Sequence, residues 1–147
     1  MSWLQPIGTP ADAADVRLRL ILFPHAGGSA LAFREWEMPQ EFEVLAVQLP
    51  GRGPRHGEPA CTSLAEVVDA VVDALRPTIV SGMPFAFFGH SFGSLVAVEV
   101  ASVLEKRGLG LPRAVFVSAH PAPGTALDNM QANLSQTATD EVRSTGT

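Results

Sequence analysis

The sequence predicts an α/β fold in which a parallel sheet is covered by helices on both faces. Apolar segments alternate with segments of helical periodicity along the chain, and this alternation requires right-handed crossovers between parallel strands. The apolar segments are nearly continuous, as in strands that are buried on both faces. The pentapeptide Gly89-His90-Ser91-Phe92-Gly93 follows one such segment and opens the next helix, which is the context of a sharp strand-to-helix turn.

Seven elements follow from these patterns. The strands are predicted from short apolar runs with few charges, and the helices from apolar residues that recur at intervals of three and four. The predicted elements, in chain order, are strand 17–23, helix 29–38, strand 43–49, helix 63–75, strand 85–88, helix 92–107 and strand 113–118.

Local signals support the ends of the predicted helices. Ser29 can cap the first helix, and Ser63 with Glu66 forms a capping box at the start of the second. The third helix is apolar almost all round, which indicates that it is buried, and Gly108 follows it as a C-cap.

Composition narrows the class of protein. With 147 residues the chain has room for one ordinary domain, and a hydrophobic content of 46% is typical of a soluble globular protein. The net charge of −5 argues against binding to nucleic acid. No apolar run is long enough to span a membrane and residues 1–12 lack signal-peptide features, so we expect no membrane association. The single Cys61 agrees with a reducing, cytoplasmic location.

Ser91 is predicted to be a nucleophile for acyl transfer. In so sharp a turn, Gly89 and Gly93 leave the space that a Cβ would occupy, and the serine hydroxyl is lifted out of the sheet. An ordinary glycine-rich turn is the alternative. A serine hydroxyl also needs a histidine to take its proton and a carboxylate to orient that histidine.

Acyl transfer requires two backbone N–H groups directed at the oxyanion of the tetrahedral intermediate. The residue after the nucleophile supplies one of them, here Phe92. The other comes from a loop after an earlier strand. Residues 23–28, Phe-Pro-His-Ala-Gly-Gly, are predicted to form that loop, with a plain turn as the alternative.

Five motifs of the chain occur together in one order. They are Phe-Pro-His-Ala-Gly-Gly at 23–28, Trp36, Val-Leu-Ala-Val-Gln-Leu-Pro-Gly-Arg-Gly at 44–53, Gly-His-Ser-Phe-Gly at 89–93 and Phe-Val-Ser-Ala at 116–119. Together they resemble the external, type II thioesterases of polyketide and nonribosomal peptide biosynthesis, which are α/β-hydrolases. The resemblance implies the N-terminal portion of an α/β-hydrolase-like parallel sheet, with about four strands and flanking helices. It also implies their spatial order, which is 43–49, 17–23, 85–88 and 113–118.

The resemblance also implies an activity. Members of this family hydrolyse acyl groups from the phosphopantetheine of acyl or peptidyl carrier proteins, usually to remove misprimed or stalled chains. It implies Ser91 as the nucleophile and the amides of Ala26 and Phe92 as the oxyanion hole. No cofactor or metal is expected, because the substrate carries the phosphopantetheine. Arg52 and Arg55 are expected to be solvated loop arginines, or else contacts for the phosphate of that arm.

The chain departs from this family in its acid and base. The triad of α/β-hydrolases runs Ser, then Asp or Glu, then His along the chain. Only His120 follows Ser91 at any distance, and it directly follows a predicted strand, where the family does not place its base. His120 is therefore a candidate base, with a solvated loop histidine as the alternative. Asp128 and the acidic pair at 140–141 lie on no recognisable strand-end loop.

These departures leave other functions open. The chain is either an active thioesterase or a catalytically incomplete fragment that at most binds a carrier protein. A different serine esterase or an acyltransferase on the same fold is a further alternative.

Two regions are expected along the chain. Residues 1–123 are predicted to form a partial α/β-hydrolase core, and residues 124–147 the start of the lid or a disordered tail. The sequence is expected to stop inside the lid. Strand 113–118 would then form an open apolar edge, and such edges favour pairing with another chain. We therefore expect self-association through this strand.

Overall fold

The computed structural model describes residues 2–9 and 12–119 of the chain. A five-stranded sheet with flanking helices forms this part of the protein. The strands are β1 (Leu4–Pro6), β2 (Leu18–Phe23), β3 (Phe42–Val47), β4 (Phe85–His90) and β5 (Val115–Ser118); the α-helices are α1 (Leu64–Ser81) and α2 (Phe92–Lys106); short 3-10 helices span Ala30–Phe33 and Gly53–Arg55. The predicted boundary at 123 and the predicted lid or tail lie outside the described residues.

The order of the strands across the sheet is β1-β3-β2-β4-β5. β3, β2, β4 and β5 are parallel, which confirms the α/β fold and the order expected for these four strands. β1 is a fifth strand that was not predicted, and it pairs with β3 in the antiparallel direction. It has three residues and ends in a proline, so it is too short to show the two-residue period of a strand.

One face of the sheet packs against both α-helices. The sheet residues Ile21 and Phe87 are fully buried in one cluster with Val71 and Leu75 of α1 and Val100 of α2. The continuous apolar character of α2 is explained by this position, because eight of its residues are buried. Burial of each large apolar side chain stabilises the fold by about 1.5–3 kcal/mol.

The start of α1 follows the predicted capping box closely. The Ser63 hydroxyl accepts a hydrogen bond from the Glu66 amide at 3.2 Å. The Glu66 carboxylate reaches back to the amide of Thr62 at 2.9 Å, one residue before the amide that a capping box normally uses. The helix continues past the predicted end at 75, through Pro77, and ends where Gly82 adopts a φ of 71°. Pro77 is exposed, so the carbonyl that loses its helical partner can bind water.

The opposite face of the sheet is covered by a shorter element than predicted. The 3-10 helix Ala30–Phe33 replaces the helix expected over 29–38, although Ser29 does cap it. The rings of Phe33 and Trp36 pack against each other and against Phe88, with 4.9 Å between the centroids of Trp36 and Phe88. An apolar groove lies beside Trp36, lined by Phe88 and Phe116 among others. The described residues therefore cover this face only in part.

β5 forms an apolar edge within the described part of the chain. There it pairs with β4 alone. The side chains of Phe116 and Val117 are 57% and 48% exposed.

Neither α-helix among the described residues combines the length and the apolar character that crossing a membrane needs.

Candidate active site

Ser91 lies in the sharp turn between β4 and α2, as the pentapeptide predicts. Its φ of 53° and ψ of −118° are outside the regions that L-amino acids commonly adopt. Such a conformation costs on the order of 1–3 kcal/mol, so the surrounding contacts must hold it. The side chain of Ser91 makes no capping hydrogen bond to α2, which leaves the hydroxyl uncommitted to the helix.

The two glycines of the pentapeptide allow strand and helix to approach closely, as expected. A Cβ added to Gly89 would lie 2.5 Å from the carbonyl oxygen of Gly93. A Cβ added to Gly93 would lie 2.0 Å from the carbonyl oxygen of Phe23, at the end of β2. Real Cβ contacts are never this short, so the first turn of α2 lies directly on the end of β2 because position 93 has no side chain.

The turn is also held from the other side, by the end of β5. The Ser91 amide donates a hydrogen bond to the carbonyl oxygen of Ser118 at 2.8 Å. The hydroxyl of Ser94, fully buried, lies 2.9 Å from the Gly89 carbonyl oxygen and 3.0 Å from that of Ser118. Nδ1 of His90 lies 3.3 Å from the Ser118 hydroxyl. Sequence reasoning assigned no role to Ser94 or Ser118. The signal for Ser118 was its place in the Phe-Val-Ser-Ala motif, and the signal for Ser94 was a serine within the apolar first half of α2.

The glycine-containing loop after β2 lies next to this turn. Phe23 of β2 is paired with Gly89 of β4, so the chain leaves both strands at the same edge of the sheet. Gly27 has a φ of 75°, and the Gly28 amide closes the turn by donating to the His25 carbonyl at 3.0 Å. The half-buried Ala26 belongs to this turn.

Phe92, the other expected oxyanion donor, opens α2. As a first-turn residue its amide has no acceptor inside the helix, which leaves it available to an anion. Ala26 and Phe92 thus lie in two connections that begin at neighbouring strand ends.

The described histidines do not include one in the position of a triad base. His25 and His90 are exposed beside the turn, with 6.3 Å between their ring centroids. His56 is exposed next to the second 3-10 helix, with Nδ1 3.1 Å from the Gly53 carbonyl oxygen. Within residues 2–9 and 12–119 no histidine follows Ser91 in the chain, and the candidate base His120 lies outside the described residues.

Arg55 is buried. It was expected to be a solvated loop arginine or else a contact for a phosphate, and both expectations are wrong for this residue. Its side chain is only 6% exposed, so it is neither a solvated arginine nor open to a phosphate. The guanidinium group donates two hydrogen bonds to Glu58, at 2.7 and 3.0 Å, and one to the Gln48 carbonyl at 2.8 Å. It also lies over the Trp3 ring, 4.7 Å from the centroid. A buried charge of this kind must be paired, and here it joins the loop after β3 to Trp3, the residue before β1.

Cys61 is half-buried near this loop. Burial raises the pKa of its thiol, and the charge of Glu66 raises it further. The thiolate is the reactive form of cysteine, so this position is not activated for nucleophilic chemistry.

Comparisons with known proteins agree with the geometry of the turn. A family described as "Thioesterase domain" matches residues 18–147. The chain is 42% identical over 109 residues to the gramicidin S biosynthesis protein GrsT of Aneurinibacillus migulanus. These aligned residues are 73% of this chain and 42% of GrsT.

The chain is also similar to solved structures of thioesterases. The RedJ thioesterase from the prodiginine biosynthetic pathway of Streptomyces coelicolor is 45% identical, with a TM-score of 0.70 over 79% of this chain and 44% of RedJ. The type II thioesterase BorB from the borrelidin biosynthetic cluster is 37% identical, with a TM-score of 0.69 over 82% of this chain and 48% of BorB. The chain thus spans less than half the length of these three relatives.

We predict that Gly93→Ala destabilises the protein by about 3 kcal/mol or more, because the new methyl group overlaps the Phe23 carbonyl and either α2 or β2 must shift. Gly57→Ala is the matched control, since a Cβ there would meet no atom within 4 Å. It should change the free energy of unfolding by less than about 1 kcal/mol. Urea denaturation followed by tryptophan fluorescence measures both, and equal effects of the two substitutions would contradict the close approach.

The Glu58 carboxylate predicts a specific dependence of stability on pH. The hydrogen bonds from Arg55, together with its charge, hold the pKa of Glu58 below the ordinary value of 4.5, although partial burial opposes this. A carboxylate with a depressed pKa in the folded state stabilises the protein above the unfolded-state pKa, and this stabilisation is lost as the pH falls through the folded-state pKa.

Glu58→Gln should therefore lose less stability than the parent protein between about pH 6 and pH 3. Glu37→Gln, at an exposed position, should follow the parent curve. Thermal unfolding at several pH values measures the difference. Parallel curves for the parent and Glu58→Gln would contradict the role of the Arg55–Glu58 pair.

Proposed function

Since the chain belongs to the thioesterase domain family, we propose that it hydrolyses acyl groups from the phosphopantetheine arm of acyl or peptidyl carrier proteins. The single observation that carries this proposal is the backbone of Ser91, held at a positive φ next to the glycine-containing loop. The names of GrsT, RedJ and BorB tie those proteins to biosynthesis of gramicidin S, prodiginine and borrelidin. We extend that context to this chain as an editing role in the cytoplasm.

The proposed reaction has two steps. The Ser91 oxygen attacks the thioester carbonyl, its proton passes to a base, and the carbon–sulfur bond breaks to release the pantetheine thiolate. The base gives its proton to the departing thiolate and is free again. Water then attacks the ester on Ser91 and passes a proton to the base; the bond between the acyl carbon and the Ser91 oxygen breaks, the Ser91 oxygen takes that proton, and the free acid leaves. In both steps the amides of Ala26 and Phe92 hold the developing oxyanion. A thiolate is a good leaving group, so its departure needs little proton donation. Attack on the carbonyl and stabilisation of the oxyanion remain the main tasks.

Neither the base nor the carboxylate that orients it is assigned to a described residue. His120 is the one histidine of the chain that follows Ser91 at a distance, and its role as the base stays a prediction. Loss of a triad member reduces turnover by up to about 10⁶, yet about 10³–10⁴ over the uncatalysed reaction persists through the oxyanion hole and binding.

A second candidate function has its own support. The chain spans 42% of GrsT, and the one histidine after Ser91, His120, directly follows a predicted strand, where the resemblance places no base. As a catalytically incomplete fragment, it would bind a carrier protein without turnover. The thioesterase match favours either of these readings over another serine esterase or an acyltransferase.

We predict that the chain hydrolyses a short acyl-pantetheine thioester well above the buffer rate. Ser91→Ala should lower this rate to the residual contribution of the oxyanion hole and binding. Ser102→Ala, on the same helix α2, is the matched control and should keep the parent rate. Release of the thiol, followed with a chromogenic disulfide, measures all three proteins. Equal rates in the parent and in Ser91→Ala would reject turnover through Ser91 and support the fragment.

We also propose that copies of the chain associate through the β5 edge. The parent protein should show a mass that rises with concentration in light scattering, because the apolar edge of β5 is exposed among the described residues. Val117→Lys places a charge on this edge and should lower the mass toward that of the monomer. Val80→Lys is the matched control on α1, where the side chain is 86% exposed. A monomer at every concentration would contradict the proposal.

A further inference from the structure

The Gln-Leu-Pro-Gly motif at 48–51 takes no part in the chemistry above, yet its first residue is among the most deeply buried polar side chains described. We infer that Gln48 is a positioning residue that holds the loop of the oxyanion donor Ala26 in place. The inference deepens the proposed function and rests on it, since it assigns a support to the oxyanion hole.

Gln48 uses both ends of its side-chain amide. Its Oε1 accepts a hydrogen bond from the amide of Ala30 at 2.9 Å. Its Nε2 donates to the carbonyl oxygens of Leu49 and Arg52, at 3.1 and 2.9 Å. The side chain is 0% exposed, so water cannot replace these partners. Gln48 therefore joins the loop after β3 to the first residue of the 3-10 helix that follows the oxyanion loop.

The Ala30 amide is the downstream anchor of that loop. Upstream, the loop begins where Phe23 is paired with Gly89 and contacts the first turn of α2. Downstream, Ala30 is held by Gln48, and Gly53 lies so close to Ser29 that an added Cβ would be 2.9 Å from the serine Cβ. Ala26 lies between two fixed ends, and Gln48 supplies a side-chain bond to one of them.

Gln48 is itself fixed by the buried Arg55. The Arg55 guanidinium group donates a hydrogen bond to the backbone carbonyl oxygen of Gln48. The backbone amide of Gln48 donates to the backbone carbonyl oxygen of Trp3 at 2.8 Å. Trp3 in turn lies under the guanidinium group. A connected set of buried polar groups of this kind allows few alternative positions for any of its members. Arg55, in the turn that follows β3, therefore fixes the position of Gln48.

The test compares Gln48→Met with Thr78→Val. Methionine keeps the length of the side chain and removes all three hydrogen bonds. Thr78 is a matched control because it is also buried, at 3% exposure, and its hydroxyl accepts a hydrogen bond from Arg19 away from the turn. Both substitutions should destabilise the protein, so stability does not separate a positioning role from a purely structural one.

Two measurements do separate these roles. In hydrolysis of the acyl-pantetheine thioester, Gln48→Met should lower kcat by about 10- to 100-fold with KM nearly unchanged, less than loss of a whole oxyanion donor. Amide hydrogen exchange should become faster over 24–30 in Gln48→Met. Thr78→Val should keep the parent kcat and the parent exchange over 24–30. Parent-like values of both quantities in Gln48→Met would overturn the inference.

A second variant keeps the inference testable if Gln48→Met folds poorly. Glutamate at position 48 would be fully buried against two carbonyl oxygens, so its carboxyl group is held in the neutral form. Neutral Gln48→Glu keeps an oxygen for the Ala30 amide and one donated hydrogen bond, so it should retain more of the exchange protection and of kcat than Gln48→Met. Equal losses in the two variants would overturn the inference. If the parent protein hydrolyses no thioester, the proposed function fails, and the exchange data over 24–30 still decide whether Gln48 holds the loop.

Discussion

The site depends on one close contact, between the first turn of α2 and the end of β2. Gly93 brings the helix so near that a Cβ there would be 2.0 Å from the Phe23 carbonyl oxygen. This contact places Ser91 at the entrance to the helix and beside the loop that leaves β2. Dispersion and steric fit of the backbone, rather than a charged interaction, therefore decide where the nucleophile lies relative to its expected oxyanion donors.

The strained turn is supported by elements on both sides of β4. Toward β5, the Ser118 carbonyl binds the Ser91 amide and lies within reach of the buried Ser94 hydroxyl. Toward β3, the buried pair of Gln48 and Arg55 fixes the loop that contains Ala26. Parallel strands bring all of these groups to one edge of the sheet, where sites of α/β proteins form. The hydrogen bonds to Ser118 and Gly89 thus hold the Ser91 turn, while Gln48 and Arg55 hold the neighbouring loop.

Sequence patterns predicted the four parallel strands and the turn at Ser91, because continuous apolar runs and paired glycines have few other uses. The order of the strands across the sheet was expected only from the resemblance to the type II thioesterases. The antiparallel β1 escaped prediction, since three residues carry no usable period. The end of α1 was placed too early because the apolar face that predicted the helix ends at Leu75, whereas the helix continues to Ser81 and tolerates an exposed Pro77. Burial of Arg55 was missed for a different reason: Trp3, which covers its guanidinium group, is distant in the sequence and is brought near by the unpredicted pairing of β1 with β3.

We propose that the amides of Ala26 and Phe92 converge on the oxyanion of a group bound to Ser91. A crystal structure of the protein after reaction with an alkyl fluorophosphonate would show this geometry. We expect an adduct on the Ser91 oxygen whose phosphoryl oxygen lies about 2.7–3.1 Å from both amide nitrogens. An adduct with its phosphoryl oxygen directed away from these amides, or modification of another residue in place of Ser91, would rule this geometry out.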